Sequence, residues 1–183
     1  FFLWVDSLHA HLCVCGDQST TGKCEAKGGI VTGPRVLFAT PEVAGFAKTG
    51  GLADVSASLP RALAQLGAAV AVVMPYYNAV RRSGQPIERT PFVLPVPLGD
   101  RVLACRVYRS LLPRSSVPIY FIEHSPFFER DDPRLGRGLY QQVMLGGYRA
   151  DYPDNAERFI FFSRAVLELV PHLDFRPEVI HVN

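Results

Sequence analysis

The sequence predicts an α/β fold, a Rossmann-like and largely parallel sheet flanked by helices. Two short apolar runs, 35–40 (Arg-Val-Leu-Phe-Ala-Thr) and 69–74 (Ala-Val-Ala-Val-Val-Met), have the length and bounding residues of buried strands. Between them, Leu52, Val55, Leu59, Leu63 and Leu66 recur at spacings of three and four, which predicts a helix over 52–65 with those residues on the core. A second strongly apolar helix and one more apolar run close the chain. The βαβ unit they imply is the building block of parallel sheets.

The first strand is fenced by Gly33-Pro34 and Pro41, and a loop over 42–51 leads to the helix. Gly67 is placed to stop that helix. Pro60 interrupts its pattern and calls for a kink or a tight first segment. Pro91, Pro95 and Pro97 make 90–98 an edge strand or an extended segment. Strands follow over 101–108 and 117–122, joined by a turn at 112–116. The stretch 123–152 is long and rich in Pro, Gly, Arg and Asp, and connectors of that length are usually functional or mobile.

Asp154 and Glu157 have capping-box spacing at the start of the last helix, which runs to about residue 170. Phe159, Ile160, Phe161, Phe162, Val166, Leu167 and Leu169 cover most of its circumference, so it is expected to be well buried. Residues 178–182 then read as a buried strand whose C-terminal end points toward the ligand edge of the sheet.

The block Lys48-Thr49-Gly50-Gly51-Leu52-Ala53-Asp54-Val55 sits where the first strand hands over to its helix. Paired glycines let a phosphate approach the backbone, the helix start supplies unpaired N–H groups, and Lys48 adds a full charge. A diphosphate suits that arrangement.

Composition narrows the alternatives. At 183 residues, 48% hydrophobic and 20% charged, the chain can bury one sizeable core. A net charge of +2 with no basic run or basic-aromatic interleaving points to no nucleic-acid partner, and no apolar run reaches the ~18 residues of a membrane span. Residues 1–33 read as a flexible leader without the Met and basic flank of a secretory signal. Cys13, Cys15 and Cys24 lack zinc-site spacing, so they and Cys105 read as reduced thiols and no metal is expected. Residues 16–24 imitate a P-loop, but with one residue too many between the glycines and Cys24 in place of the magnesium-binding hydroxyl. No G-x-G-x-x-G occurs, which disfavours a dinucleotide-dependent dehydrogenase.

Glu42-Val43-Ala44 followed by Phe46-Ala47-Lys48-Thr49-Gly50-Gly51-Leu52-Ala53-Asp54-Val55 resembles the N-terminal signature of bacterial glycogen synthases and plant starch synthases. The resemblance continues through Ser58-Leu59-Pro60-Arg61-Ala62-Leu63, Met74-Pro75-Tyr76-Tyr77, Tyr152-Pro153-Asp154-Asn155-Ala156-Glu157-Arg158-Phe159 and Val179-Ile180-His181-Val182. It implies residues 34–183 of an incomplete N-terminal half of a GT-B fold, from a retaining glycosyltransferase that moves glucose from ADP-glucose to the non-reducing end of an α-1,4-glucan without metal or cofactor. The second half of such a fold governs the choice between ADP- and UDP-glucose.

The resemblance implies substrate contacts for Lys48, Thr49, Gly50 and Gly51. Glu42 and Asp54 carry over as residues near the sugar or the loop base, beside a plain capping or ion-pairing reading. His181 carries over to the cleft, against the reading of a hydrogen-bonded core histidine. Asn155 and Arg158 match family residues, and a helix-start network explains them equally well.

The family's active-site aspartate belongs immediately after Asn183, so the isolated chain is expected to be inactive and no catalytic residue is assigned within it. Pro41 and Gly45 depart from the family, and Gly45 is expected to loosen the loop that carries Lys48. The Ala-, Arg- and Pro-rich style favours a bacterial cytoplasmic enzyme, with a plastid enzyme as the alternative. A catalytically dead glucan- or nucleotide-binding module is the competing function.

Overall fold

The computed structural model describes residues 2–4 and 33–183. In chain order the elements are β1 (Phe2–Trp4), β2 (Arg35–Ala39), α1 (Leu52–Gln65), β3 (Ala69–Pro75), α2 (Asn78–Arg81), β4 (Glu88–Leu98), β5 (Arg101–Leu111), β6 (Pro118–Glu123), α3 (Ser125–Phe128), β7 (Gln141–Val143), β8 (Arg149–Asp151), α4 (Asn155–Leu169) and β9 (Val179–Val182). Short 3₁₀ turns cover Pro133–Leu135 and Val170–His172.

β2 and β3 pair in parallel, with Val36 opposite Val70 and Phe38 opposite Val72. Leu37, Phe38, Val72, Val73 and Met74 are fully buried, as expected of strands covered on both faces. β6 joins β3 and β9 joins β2, both in parallel, giving a four-stranded parallel centre. β5 and β4 extend it antiparallel on one side, and β1 pairs antiparallel with β9 on the other, in the order β1-β9-β2-β3-β6-β5-β4. β4 takes the edge, where a proline's missing N–H can face away from the ladder.

α1 has the predicted limits. Gly67 closes it at φ +92°, donating to Ala64 O while Ala68 donates to Leu63 O, a Schellman arrangement that satisfies the last turn's carbonyls. The helix runs through Pro60, which is buried. Its buried face, however, is Ala53, Ser56, Ala57 and Pro60, while Leu52, Val55 and Leu66 are exposed and Leu59 and Leu63 lie at the boundary. Small side chains let the helix axis come close to the sheet. At that contact Ser56 Oγ and Thr40 Oγ1, both fully buried, share a 2.9 Å hydrogen bond.

α4 also departs from expectation. It buries Phe161, Phe162, Ala165, Val166 and Leu169 but leaves Ile160 and Leu167 more than half exposed. Asp154 makes no cap with its side chain. Arg130 takes both its carboxylate oxygens at 2.7 and 2.6 Å, and Glu157 pairs with Arg101, so the capping box is not formed. A bidentate guanidinium contact holds the carboxylate more firmly than a helix amide does. β9 is half-buried rather than buried, because an apolar groove stays open between it and α4.

The 123–152 stretch is organised rather than a bare loop. Phe127 of α3 meets Phe161 edge-to-face and Phe128 packs on it at a tilt, and Asp131 is buried against the start of α2. Beyond the 3₁₀ turn, β7 and β8 form a hairpin. Cys105 is buried, and burial pushes its thiol up to about 12. Cys13, Cys15, Cys24 and the P-loop-like 16–24 stretch lie outside the described residues, as does most of 1–33; the part of it that is described, Phe2–Trp4, is not flexible as expected but pairs with β9 in the sheet. Among the described residues, no helix is long and apolar enough to cross a membrane.

Candidate functional site

The chain leaves the C-terminal end of β2 through Thr40, whose hydroxyl donates to Glu42 O at 3.0 Å. A tight turn follows. Val43 and Ala47 exchange backbone bonds at 3.0 Å in each direction, Ala44 donates to Ala53 O at 2.9 Å, and Val43, Phe46 and Ala47 are buried. Gly45 sits at the turn with φ +96°, and a Cβ there would meet Pro113 Cγ at 2.9 Å. The expected loosening is thus offset by a closed turn whose positive φ suits glycine.

This turn delivers Lys48, Thr49, Gly50 and Gly51 to the start of α1. Lys48 Nζ lies 2.7 Å from both carboxylate oxygens of Asp54, and the pair is about half exposed. The ammonium is therefore held at the surface, next to the helix start. Gly50 and Gly51 have ordinary negative φ, and a Cβ at either would meet nothing within 4 Å. Neither packing nor backbone geometry within the described residues calls for glycine there, and the space above the backbone is open. The amides of Gly51, Leu52 and Ala53 have no partner among the described residues, which leaves an anion-attracting helix start next to a cation.

Glu42 points the other way, into the protein. It is 3% exposed, and its carboxylate accepts from the Thr49 amide and hydroxyl, each at 2.5 Å, and from Tyr140 Oη at 2.7 Å. Burial pushes its pKa up, but the Thr49 hydroxyl and amide, the Tyr140 hydroxyl and the Gly50 amide outweigh that and hold it below the ordinary carboxylate value. Tyr140 is pushed the opposite way, first by burial, then by Tyr77 and Glu42, so it stays a protonated donor. Glu42 is thus the internal brace of the 48–51 turn, and Thr49 directs its hydroxyl to that brace.

His181 lies on β9 beside β2, half-buried, with its ring stacked on Phe38 at 4.5 Å and 10°. Its Nε2 lies 3.3 Å from Asn183 Oδ1, and Asn183 Nδ2 donates to Ser56 Oγ at 3.4 Å. A polar thread Thr40–Ser56–Asn183–His181 therefore links the ends of β2, α1 and β9. The groove beside it, of about 430 Å³, is lined by Pro41, Tyr140, Phe162, Val166, Ile180 and Val182 among others. Among the described residues no three His, Cys, Asp or Glu side chains converge as metal ligands.

The structure thus gathers Glu42, Lys48, Thr49, Gly50, Gly51 and Asp54 on one turn and sets His181 two strands across from β3, beside β2. Sequence reasoning missed Tyr140, Thr40, Ser56 and Asn183. Tyr140 reaches Glu42 from 98 residues away, which no local pattern records. A serine on the small-residue stripe of an otherwise apolar helix was the available signal for Ser56.

The starch synthase catalytic domain family matches residues 35–183. The chain is 42% identical over 148 residues to a glycogen synthase of Syntrophotalea carbinolica, and 37% identical over 157 residues to one of Rhodopirellula baltica. The match covers 81% of this chain in both cases, and 28% and 29% of those proteins. The catalytic domain of starch synthase IV from Arabidopsis thaliana, solved bound to ADP and acarbose, superposes with a TM-score of 0.66 at 26% identity, over 82% of this chain and 28% of that one. The chain spans under a third of the proteins it matches, and over that span it belongs to the starch synthase catalytic domain family, with the Rossmann-like architecture of the N-terminal part of a GT-B glycosyltransferase.

Proposed function

We propose that residues 34–183 form the N-terminal half of a glycogen synthase that transfers glucose, with retention, from ADP-glucose to the 4-hydroxyl at the non-reducing end of an α-1,4-glucan. The observation that carries this reading is the open space above Gly50 and Gly51, flanked by Lys48 and by the unpartnered amides at the start of α1. There a donor diphosphate would replace Asp54 as the partner of Lys48 and accept from the helix-start amides. The leaving diphosphate gains charge as the glycosidic bond breaks, and donors already fixed in place stabilise that charge without a metal. The acceptor side is assigned to the neighbourhood of the 123–152 segment and His181. ADP and acarbose in the Arabidopsis structure support a nucleotide donor and a glucan acceptor here. The bacterial relatives support a cytoplasmic setting.

Turnover is a property of the whole protein, and residues 34–183 alone are expected to bind without turning over. The test is Lys48→Ala in the complete protein, assayed for glucose incorporation into glycogen from ADP-glucose. A rise in donor KM or a fall in kcat supports the assignment. Unchanged donor affinity and full turnover would refute it. Retention on glycogen without any donor-dependent incorporation by the wild type would favour a dead binding module.

A further inference from the structure

Arg158 is 1% exposed, yet it forms no ion pair among the described residues, and its Nε has no hydrogen-bond partner. Its guanidinium lies among the rings of Phe159, Tyr152 and Phe128, with centroids at 5.1, 5.3 and 5.5 Å. A buried cation without a carboxylate in direct contact among the described residues is an expensive way to hold a helix start, and burial pushes its pKa down. What it does hold is specific. Arg158 Nη1 donates to Leu139 O at 2.9 Å, Asn155 Nδ2 donates to Tyr140 O at 2.9 Å, and Tyr152 Oη donates to Gly138 O at 3.2 Å. Three consecutive carbonyls are thus held by side chains from α4 and its approach, and Arg158 Nη1 also donates to Asn155 Oδ1 at 3.2 Å.

Tyr140 is the residue that this clamp fixes, and its hydroxyl donates to Glu42, which in turn receives Thr49. We propose that Asn155 and Arg158 are positioning residues for the 48–51 turn, acting through Tyr140 and Glu42 to set the donor-binding backbone. This rests on the reading of that turn as the diphosphate site. A helix-start network alone would end at α4, whereas the contact chain continues without a break through Tyr140 to Glu42, just after β2, and to Thr49, just before α1.

The test uses Tyr140→Phe, Asn155→Ala, Arg158→Met and the Tyr140→Phe/Asn155→Ala double variant. In the complete protein, each single variant should raise donor KM about tenfold with acceptor KM unchanged, and the double variant should match Tyr140→Phe alone. Multiplying effects would overturn the proposal, as would losses that follow the melting temperature instead of the donor. In the chain itself, the Thr49 amide resonance should move in the same direction in Tyr140→Phe, Asn155→Ala and Arg158→Met. A Thr49 amide that stays put in Asn155→Ala and Arg158→Met while moving in Tyr140→Phe overturns the proposal without touching the diphosphate reading. A wild-type protein that neither binds nor uses ADP-glucose overturns that reading, while the amide resonance still decides whether α4 sets the turn.

Discussion

Between Thr40 and Asp54 the chain keeps its cation half exposed, leaves the space over two glycines open, and ends on helix amides with no partner among the described residues. Between Glu123 and Asp154 it does the reverse. Asp131 takes the Asn78 and Ala79 amides and Arg82, Arg130 clamps Asp154 with both nitrogens, and the carbonyls of Gly138, Leu139 and Tyr140 are all engaged. The first segment leaves polar groups exposed or without a partner among the described residues, and the second uses its own to define a shape. Glu42 and Tyr140 join the two.

That division makes different kinds of damage in the two segments. The largest effect is expected in the second. Asp131→Ala strips the Asn78 and Ala79 amides of a buried acceptor and should lower unfolding free energy by about 3 kcal/mol, read by chemical denaturation. Lys48→Ala should leave stability within about 0.5 kcal/mol, because a half-exposed pair with Asp54 contributes little. Its cost should instead appear in donor use by the complete protein, at roughly 1.5–3 kcal/mol in kcat/KM, the worth of a charge-assisted bond. Equal losses of stability in both variants would erase the contrast between the segments.

What was legible in the sequence follows the range of the forces involved. The limits of α1, the stop at Gly67 and the edge position of β4 depend on neighbours a few residues away, and the sequence shows them directly. The buried face of α1 was misjudged because periodicity counts large apolar residues, while close approach to the sheet selected Ala53, Ser56 and Ala57. The Asp154–Glu157 pattern misled for a related reason, since Arg130 and Arg101 reach these carboxylates from distant strands and turns. The same limit governs the site. Lys48, Gly50 and Gly51 stand together in the sequence, whereas Tyr140 and Asn183 reach it only after the sheet has formed.

Glu42→Gln sharpens the junction between the segments and should cost about 1–2 kcal/mol, since an amide replaces a carboxylate that accepts three short bonds. Its pH signature has a definite sign. The folded-state pKa lies below the ordinary 4.5, so the unfolded chain takes the proton first, and the stabilisation is complete above that value and lost as pH falls through the folded pKa. Asp131, held above its ordinary 3.8 chiefly by burial, tilts the other way, disfavouring folding as pH rises from that value toward its folded pKa. Glu42→Gln should therefore flatten the acid limb of the stability curve relative to wild type. A parallel limb would mean that Glu42 is not the brace.

The smallest effect is expected at Arg101, which reaches Glu157 across a solvent-exposed ion pair. This contact also ties the antiparallel β5 to the start of α4, yet both partners keep much of their hydration. Desolvation is small, so the Coulomb gain is screened and the entropy of fixing two long side chains offsets most of it. Arg101→Ala should change unfolding free energy by less than about 0.5 kcal/mol, and the difference from wild type should fade further in high salt. A loss near that of Asp131→Ala would show that surface pairing, and not the buried clamp, holds α4 in place.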